Sequence, residues 1–199
     1  MRRLSCMLPY SHSGNQFMET SIIFSGFGGQ GVLFAGQLLA YAGMDAGKHV
    51  TWIPSYGPEM RGGTAHCVVI ISDDPIGAPV VSRPEIAVAL NQPSYEKYEK
   101  LVKPGGLLVV NSSLVEVEPT RTDIDIVQVP ANAIAEEWGT AKMMNMAALG
   151  ALLGARPVLP LDIVQKALAD HLPAGKQHLV EANVKVLIHG SQIATPHKS

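Results

Sequence analysis

Charge is scarce in this chain. Only 16% of its 199 residues are Asp, Glu, Lys or Arg, with 15 basic residues against 17 acidic ones and a formal net charge of −2. Soluble domains carry about 25%, so a chain that is 47% hydrophobic with so few charges suggests that another chain covers part of its surface. The Lys and Arg residues are spread thinly and form no patch that would follow a phosphate backbone, which excludes nucleic acid as an expected partner. Cysteine is scarce too. Cys6 and Cys67 stand alone, whereas an iron–sulfur cluster needs about four thiolates at characteristic spacings. The expectation is therefore no metal or cluster held by this chain alone, and a reduced, cytoplasmic protein. No apolar run reaches the ~20 residues that cross a bilayer. The longest, residues 32–46, contains Gln37 and Asp45 and reads as a buried helix. His66 and Cys67 open an apolar strand and read as a satisfied core histidine and an inert core thiol. No His-Cys-Asp arrangement at useful spacing supports nucleophilic catalysis, so no catalytic residue is assigned.

The stretch that organises the rest is Ser21-Ile-Ile-Phe-Ser-Gly26-Phe-Gly28-Gly29-Gln30-Gly31, followed by the apolar residues 32–44. A β-branched and aromatic segment runs into G-x-G-x-x-G and then into a helical pattern, which is the context such a match needs. The turn exposes backbone N–H groups at the positive end of a helix, a place for a phosphate or carboxylate. Gln30 adds an amide able to bond whatever docks. The alternative is that the glycines only let helix and strand pack closely. A nicotinamide dinucleotide is disfavoured, because an acid ~20 residues on should hold its ribose, and His49-Val-Thr-Trp-Ile-Pro-Ser55 offers none.

Strands are expected at residues 49–53, 66–72, 85–90, 107–111 and 125–129. Helices are expected at 94–101, 131–138, 145–153, 161–172 and 177–193. Small residues Gly36, Ala40 and Gly43 share one side of the first helix and would let it lie close to the sheet. Strands alternating with helices predict an α/β fold: a three-layer Rossmann-like domain with a largely parallel sheet and a helical C-terminal third. Residues 1–20 read as an N-terminal extension, with Met18 the expected start. Residues 21–193 read as one domain, and 194–199 as a tail.

Ligands and partners of such a sheet sit outside the carboxyl ends of its strands. Three features fall there: the glycine turn, the loop from Ser55 to Thr64, and Asn91-Gln92. In the loop, Tyr56 and Met60 offer apolar contact, Glu59 and Arg61 offer opposite charges, and Gly62-Gly63 permits close backbone approach. Glu59 and Arg61 either lock the loop or, in the favoured reading, belong to a docking surface for a second subunit. Asn145 opens an apolar helix as its cap or as an interface hydrogen-bonder.

Three segments in order, Gly-Phe-Gly-Gly-Gln-Gly at 26–31, Ser-Tyr-Gly-Pro-Glu-Met-Arg-Gly-Gly at 55–63 and Asn-Met-Ala-Ala-Leu-Gly-Ala at 145–151, resemble the gamma subunit of 2-oxoacid:ferredoxin oxidoreductases. The group acts on pyruvate, 2-oxoglutarate and branched-chain 2-oxoacids, and the resemblance runs over residues 21–193. It implies oxidative decarboxylation of a 2-oxoacid to an acyl-CoA with electrons passing to ferredoxin. It implies alpha and beta partner subunits, and in some complexes a delta subunit. Thiamine diphosphate and iron–sulfur clusters would sit on those chains, and coenzyme A would enter beside the gamma domain. This chain lacks the Gly-Asp-Gly…Asn-Asn pattern of thiamine diphosphate binding, which agrees with a supporting role. Coenzyme A contact and subunit contact both remain open for the glycine turn. A stand-alone Rossmann-like nucleotide-binding protein is the alternative from another class, and a structural homodimer is a third. The substrate expectation leans to 2-oxoglutarate or a branched-chain 2-oxoacid over pyruvate.

Overall fold

The computed structural model describes residues 19–55, 64–139, 141–172 and 174–193. Tyr56, Glu59, Arg61, Gly62 and Gly63, and the expected extension up to Met18, lie outside the described residues. Among the described residues six strands form one sheet: β1 (Glu19–Phe27), β2 (His49–Ser55), β3 (Thr64–Ser72), β4 (Ile86–Ala89), β5 (Leu107–Asn111) and β6 (Asp125–Val129). Their spatial order is β2-β3-β1-β4-β5-β6. The pairs β1–β4, β4–β5 and β5–β6 are parallel. β3 runs the other way between β1 and β2 and pairs antiparallel with both. The sheet is thus largely parallel, with one reversed strand.

Among the described residues six α-helices accompany it: α1 (Val32–Asp45), α2 (Gln92–Leu101), α3 (Ala131–Glu137), α4 (Met144–Ala155), α5 (Leu161–His171) and α6 (Val180–Ile193). The α/β expectation and the helical last third both hold. Several boundaries move by one or two residues, and the largest shift is at α6. The helix expected from residue 177 begins at Val180, because Ala174–Leu179 forms tighter 3₁₀ turns before it.

The two faces of the sheet are covered unequally. Phe24, Cys67, Val69, Val88 and Val109 meet α1, α3, α4, α5 and α6 in the larger core. On the other face Ile23, Ala87, Ala89, Leu108 and Val110 meet Tyr95 and Tyr98 of α2, together with Val115 and Ile124 from the connection between β5 and β6. Alternation along each strand sends successive side chains to these two cores. The third layer is therefore one helix plus loop segments. It leaves Ile53 exposed and Val68 half-buried near the β2 edge.

The small residues read as a packing stripe on α1 do face the sheet. A Cβ on Gly36 would overlap Cys67 Sγ, and one on Gly43 would stand 2.8 Å from Val50 Cγ2. Helix α4 is buried on every side from Met144 to Leu153, which a helix apolar all round requires. Its closest partner is α6. A Cβ on Gly150 would overlap the Leu187 carbonyl oxygen, and one on Gly190 would overlap that of Ala147. Backbone meets backbone at this crossing.

Gly150→Ala should therefore force α4 and α6 apart and lower unfolding free energy by about 2–3 kcal/mol, within the range for overpacked cores. Ala141→Ser, at the half-buried first residue of the 3₁₀ turn before α4, should cost less than about 0.5 kcal/mol. Urea unfolding followed by circular dichroism measures both.

Candidate functional site at the carboxyl edge of the sheet

β1 ends in a turn that its own sequence closes. Gln30 is buried, and its Oε1 accepts from the Phe27 backbone N–H at 2.6 Å while its Nε2 donates to the Leu90 carbonyl at 3.2 Å. The sequence reading gave this amide to an incoming partner. Both of its polar atoms are instead engaged within the chain, tying the turn to the strand beside it. The backbone N–H of Gln30 also donates to Phe27 O at 3.2 Å. Gly28 and Gly29 stand exposed at the tip.

Gly31 is the N-cap of α1, with φ 73° and no side chain to cap the helix. The first turn of α1 contains no acidic residue. The helix start therefore offers unpaired donors and a positive dipole end without an internal counter-charge. Asn145 lies inside α4 rather than at its cap, which is Met143. Its Nδ2 donates to the Gly31 carbonyl at 3.1 Å. The cap reading of Asn145 is thus replaced by a bond between two distant segments. A Cβ on Gly31 would come 2.5 Å from Asn145 Nδ2, so the left-handed φ and the close approach both require glycine.

Asn91 caps α2. Its Oδ1 accepts from the Ser94 N–H at 2.9 Å, the geometry a helix N-cap calls for. Its Nδ2 is buried without a hydrogen-bond partner. The hydroxyls of Ser25 and Ser94 are bonded at 2.8 Å in the same crevice, a pair the sequence reading did not single out. A serine in the middle of an apolar strand was the available signal.

Registers place these groups on one edge. Ser25 stands opposite Ala89 of β4 and His66 of β3, and His66 stands opposite Ser55 of β2. The glycine turn, Ser55, Asn91 and Asn145 thus share the carboxyl edge. From the adjacent strands β1 and β4, the chain enters α1 on one face and α2 on the other. Such a reversal opens a crevice in α/β sheets. Because β3 lies between β1 and β2, the end of β2 is one strand removed from the place where a dinucleotide ribose would be held.

His66 is half-buried rather than a core residue. Burial, and then the ammonium of Lys97, hold its pKa below the ordinary value. Cys67 fulfils the core reading. It is fully buried, its Sγ donates to the Val32 carbonyl at 3.6 Å, and burial pushes its pKa up to about 11. Among the described residues no set of three or more His, Cys, Asp or Glu side chains is arranged to hold a metal. Among them, no helix is long and apolar enough to cross a membrane.

Comparison with known proteins gives consistent matches. The family model described as pyruvate ferredoxin/flavodoxin oxidoreductase matches residues 21–193. The ketoisovalerate oxidoreductase subunit VorA of Methanothermobacter marburgensis is 36% identical over 182 residues, 90% of this chain and 37% of the relative. The chain thus spans little more than a third of that relative's length. The 2-oxoglutarate synthase subunit KorC of Methanocaldococcus jannaschii is 36% identical over 180 residues, 89% of this chain and 95% of the relative. Among solved structures, the gamma subunit of a keto/oxoacid ferredoxin oxidoreductase from Geobacter sulfurreducens superposes with a TM-score of 0.78 at 32% identity, covering 89% of this chain and 97% of that one.

Gln30→Ala should remove the clasp of the glycine turn and lower unfolding free energy by about 1–3 kcal/mol, since it leaves two polar groups unpaired. Thermal or urea melts check this. The raised pKa of Cys67 has its own signature. The folded state keeps the thiol proton where the unfolded state loses it, so stability falls as pH rises from about 9, the unfolded value, to about 11, the folded one. At pH 8 the Cys67 peptide should resist alkylation in folded protein and react once the protein is unfolded, as read by mass spectrometry.

Proposed function

The chain belongs to the pyruvate ferredoxin/flavodoxin oxidoreductase family, and from that membership we propose that it is the gamma subunit of a multi-subunit 2-oxoacid:ferredoxin oxidoreductase. The enzyme would decarboxylate a 2-oxoacid oxidatively to an acyl-CoA and pass the electrons to ferredoxin. Alpha and beta subunits, joined in some complexes by a delta subunit, would hold thiamine diphosphate and the iron–sulfur clusters. The names of the VorA and KorC relatives favour a branched-chain 2-oxoacid or 2-oxoglutarate as substrate. Residues 21–193 would form the gamma-type domain, working in the cytoplasm.

The observation that carries the role of this chain is the uncapped, acid-free start of α1 beside the unpartnered Asn91 Nδ2. These donors fit an anionic group. We assign the rim to a phosphate of coenzyme A, held by the backbone N–H groups that open α1 and by the Asn91 amide. When bound, coenzyme A supplies the thiol that accepts the acyl group. Gln30, Gly31 and Asn145 would act as positioning residues that keep the turn in shape, while Gly26, Gly28 and Gly29 keep it bare. Ser55, Tyr56, Glu59, Arg61, Gly62 and Gly63 would contribute to the subunit contact on the same edge. The stand-alone nucleotide-binding alternative loses support from the strand order. β3 separates β1 from β2, and no acid ends β2.

Purification of the tagged chain from its native cells should bring down alpha and beta chains with coenzyme A-dependent, 2-oxoacid-driven viologen reduction. An inactive homo-oligomer, or tight binding of NAD(P) by the chain alone, would overturn the reading. Within the complex, Gly28→Asp places a negative charge at the exposed tip and should raise KM for coenzyme A about tenfold, equivalent to ~1.4 kcal/mol. The KM for the 2-oxoacid should stay unchanged.

A further inference from the structure

The end of α3 is fastened to α6 by a bond that depends on a single proton. The indole N–H of Trp138 donates to His189 Nδ1 at 3.2 Å. An indole nitrogen only donates, so Nδ1 must offer its lone pair, and the imidazole there is neutral with its proton on Nε2. The same Nδ1 stands 4.0 Å from Glu137 Oε2, a contact that becomes an ion pair once Nδ1 carries a proton. One nitrogen thus faces two partners that exclude each other. The neutral ring accepts from the indole, whereas the charged ring has only N–H groups to present and donates to the carboxylate instead.

Both partners are consecutive residues at one end of a short helix. Glu137 is the last residue of α3 and Trp138 is its C-cap. The start of α3 is held by amide groups, which take up no proton near neutrality. Ala131 N–H donates to Asn111 Oδ1 at 3.1 Å, and Asn111 Nδ2 donates to Asn132 Oδ1 at 2.8 Å, with Asn111 fully buried. Trp138 is 39% exposed, so its indole has room to leave α6. The charged groups of the packed elements decide what replaces it. Lys185, one turn before His189, holds its ammonium 5.6 Å from the Trp138 ring centroid and 2.7 Å from Glu181 Oε1. α3 adds Glu136, and the 3₁₀ turn after it carries Lys142. α4, packed along α6, has no titratable side chain from Met144 to Ala155. α5 carries Asp162 together with Lys166, Asp170 and His171, the last three already paired, while Lys176 and His178 precede the opposite end of α6. Among these groups Glu137 is the carboxylate that reaches the ring.

We propose that His189 is a proton-operated latch on the end of α3. With the imidazole neutral, Trp138 is bound to α6. With the imidazole charged, the indole is released and Glu137 becomes the partner. Histidine changes charge between about pH 5 and pH 8, so mild acidification opens the latch. Only the Trp138 end of α3 responds, because the bonds to Asn111 at the other end carry no titrating group. The device belongs to the chain itself and does not depend on the subunit reading.

The test follows the indole N–H resonances of the purified full chain by NMR from about pH 8 to about pH 5. The chain has two tryptophans, Trp52 and Trp138, and Trp138→Phe assigns them. On acidification the Trp138 indole resonance should move and its proton should exchange with water several-fold faster, while that of Trp52 stays in place. The long-range proton–nitrogen spectrum of the imidazole should show the Nε2–H tautomer of His189 at the high-pH end. His189→Asn puts an amide oxygen, which cannot become charged, near the place of Nδ1. That variant should hold the Trp138 resonance still across the whole range. Glu137→Gln should displace the transition toward lower pH, because the charged ring loses its acceptor. An Nδ1–H tautomer at high pH, a Trp138 resonance that ignores pH, a transition that survives in His189→Asn, or one unmoved in Glu137→Gln would overturn the proposal.

Discussion

The two hydrogen bonds of the Gln30 side chain hold the functional edge of this molecule together. One end of the amide closes the glycine turn on Phe27, and the other reaches the Leu90 carbonyl where β4 ends. Through that single side chain the geometry of the β1–α1 turn is coupled to the geometry of the β4–α2 turn. Both polar atoms are buried, so the clasp is worth more than an exposed amide would be. It also explains why the turn remains bare. The Gln30 side chain is folded back under the loop rather than over its tip. The Asn145 bond to Gly31 adds a third anchor from a helix more than a hundred residues away. The rim is thus a preorganised surface, with its shape set by internal bonds and its backbone donors left outward.

Much of the fold was legible in the sequence because its signals are local. Each strand of the sheet is a short run of β-branched residues between turn residues, and each of the helices α1, α2 and α5 carries an apolar stripe or small-residue stripe at helical spacing. The reversed direction of β3 was not legible. The run Cys67-Val-Val-Ile-Ile71 is buried or half-buried on both faces, and a strand of that kind reads the same whether its neighbours are parallel or antiparallel. Direction is set by which strands β3 pairs with, and no local residue pattern announces that. The unequal third layer was hidden for a similar reason. Chain segments without periodicity, around Val115 and Ile124, cover the part of the sheet that α2 does not.

At the site, residue identities were easier to anticipate than their bonding. The glycine turn at 26–31 and Asn91 come to one edge, as their positions at strand ends implied, and Asn145 joins them through its bond to Gly31. Whether an amide faces outward or inward depends on neighbours distant in sequence, Leu90 for Gln30 and Gly31 for Asn145. Those partners lie beyond any local pattern. His66 shows the same limit. It sits in an apolar strand, yet its side chain emerges on the thinly covered face and stays half-buried, whereas its neighbour Cys67 points into the main core.

Strand order also acts as a ruler. Neighbouring strands in a sheet stand about 4.8 Å apart. With the order β2-β3-β1-β4, the end of β1 lies about 5 Å laterally from the end of β4 and about 10 Å from the end of β2, one and two strand spacings. A group the size of a phosphate would span the glycine turn and the Asn91 crevice together, but not Ser55 as well. Whatever engages the whole edge must be extended along it by at least three strand widths, as a long cofactor or the flank of another polypeptide would be. By inserting β3 between β1 and β2, the fold lengthens the edge from a point to a line three strand spacings long.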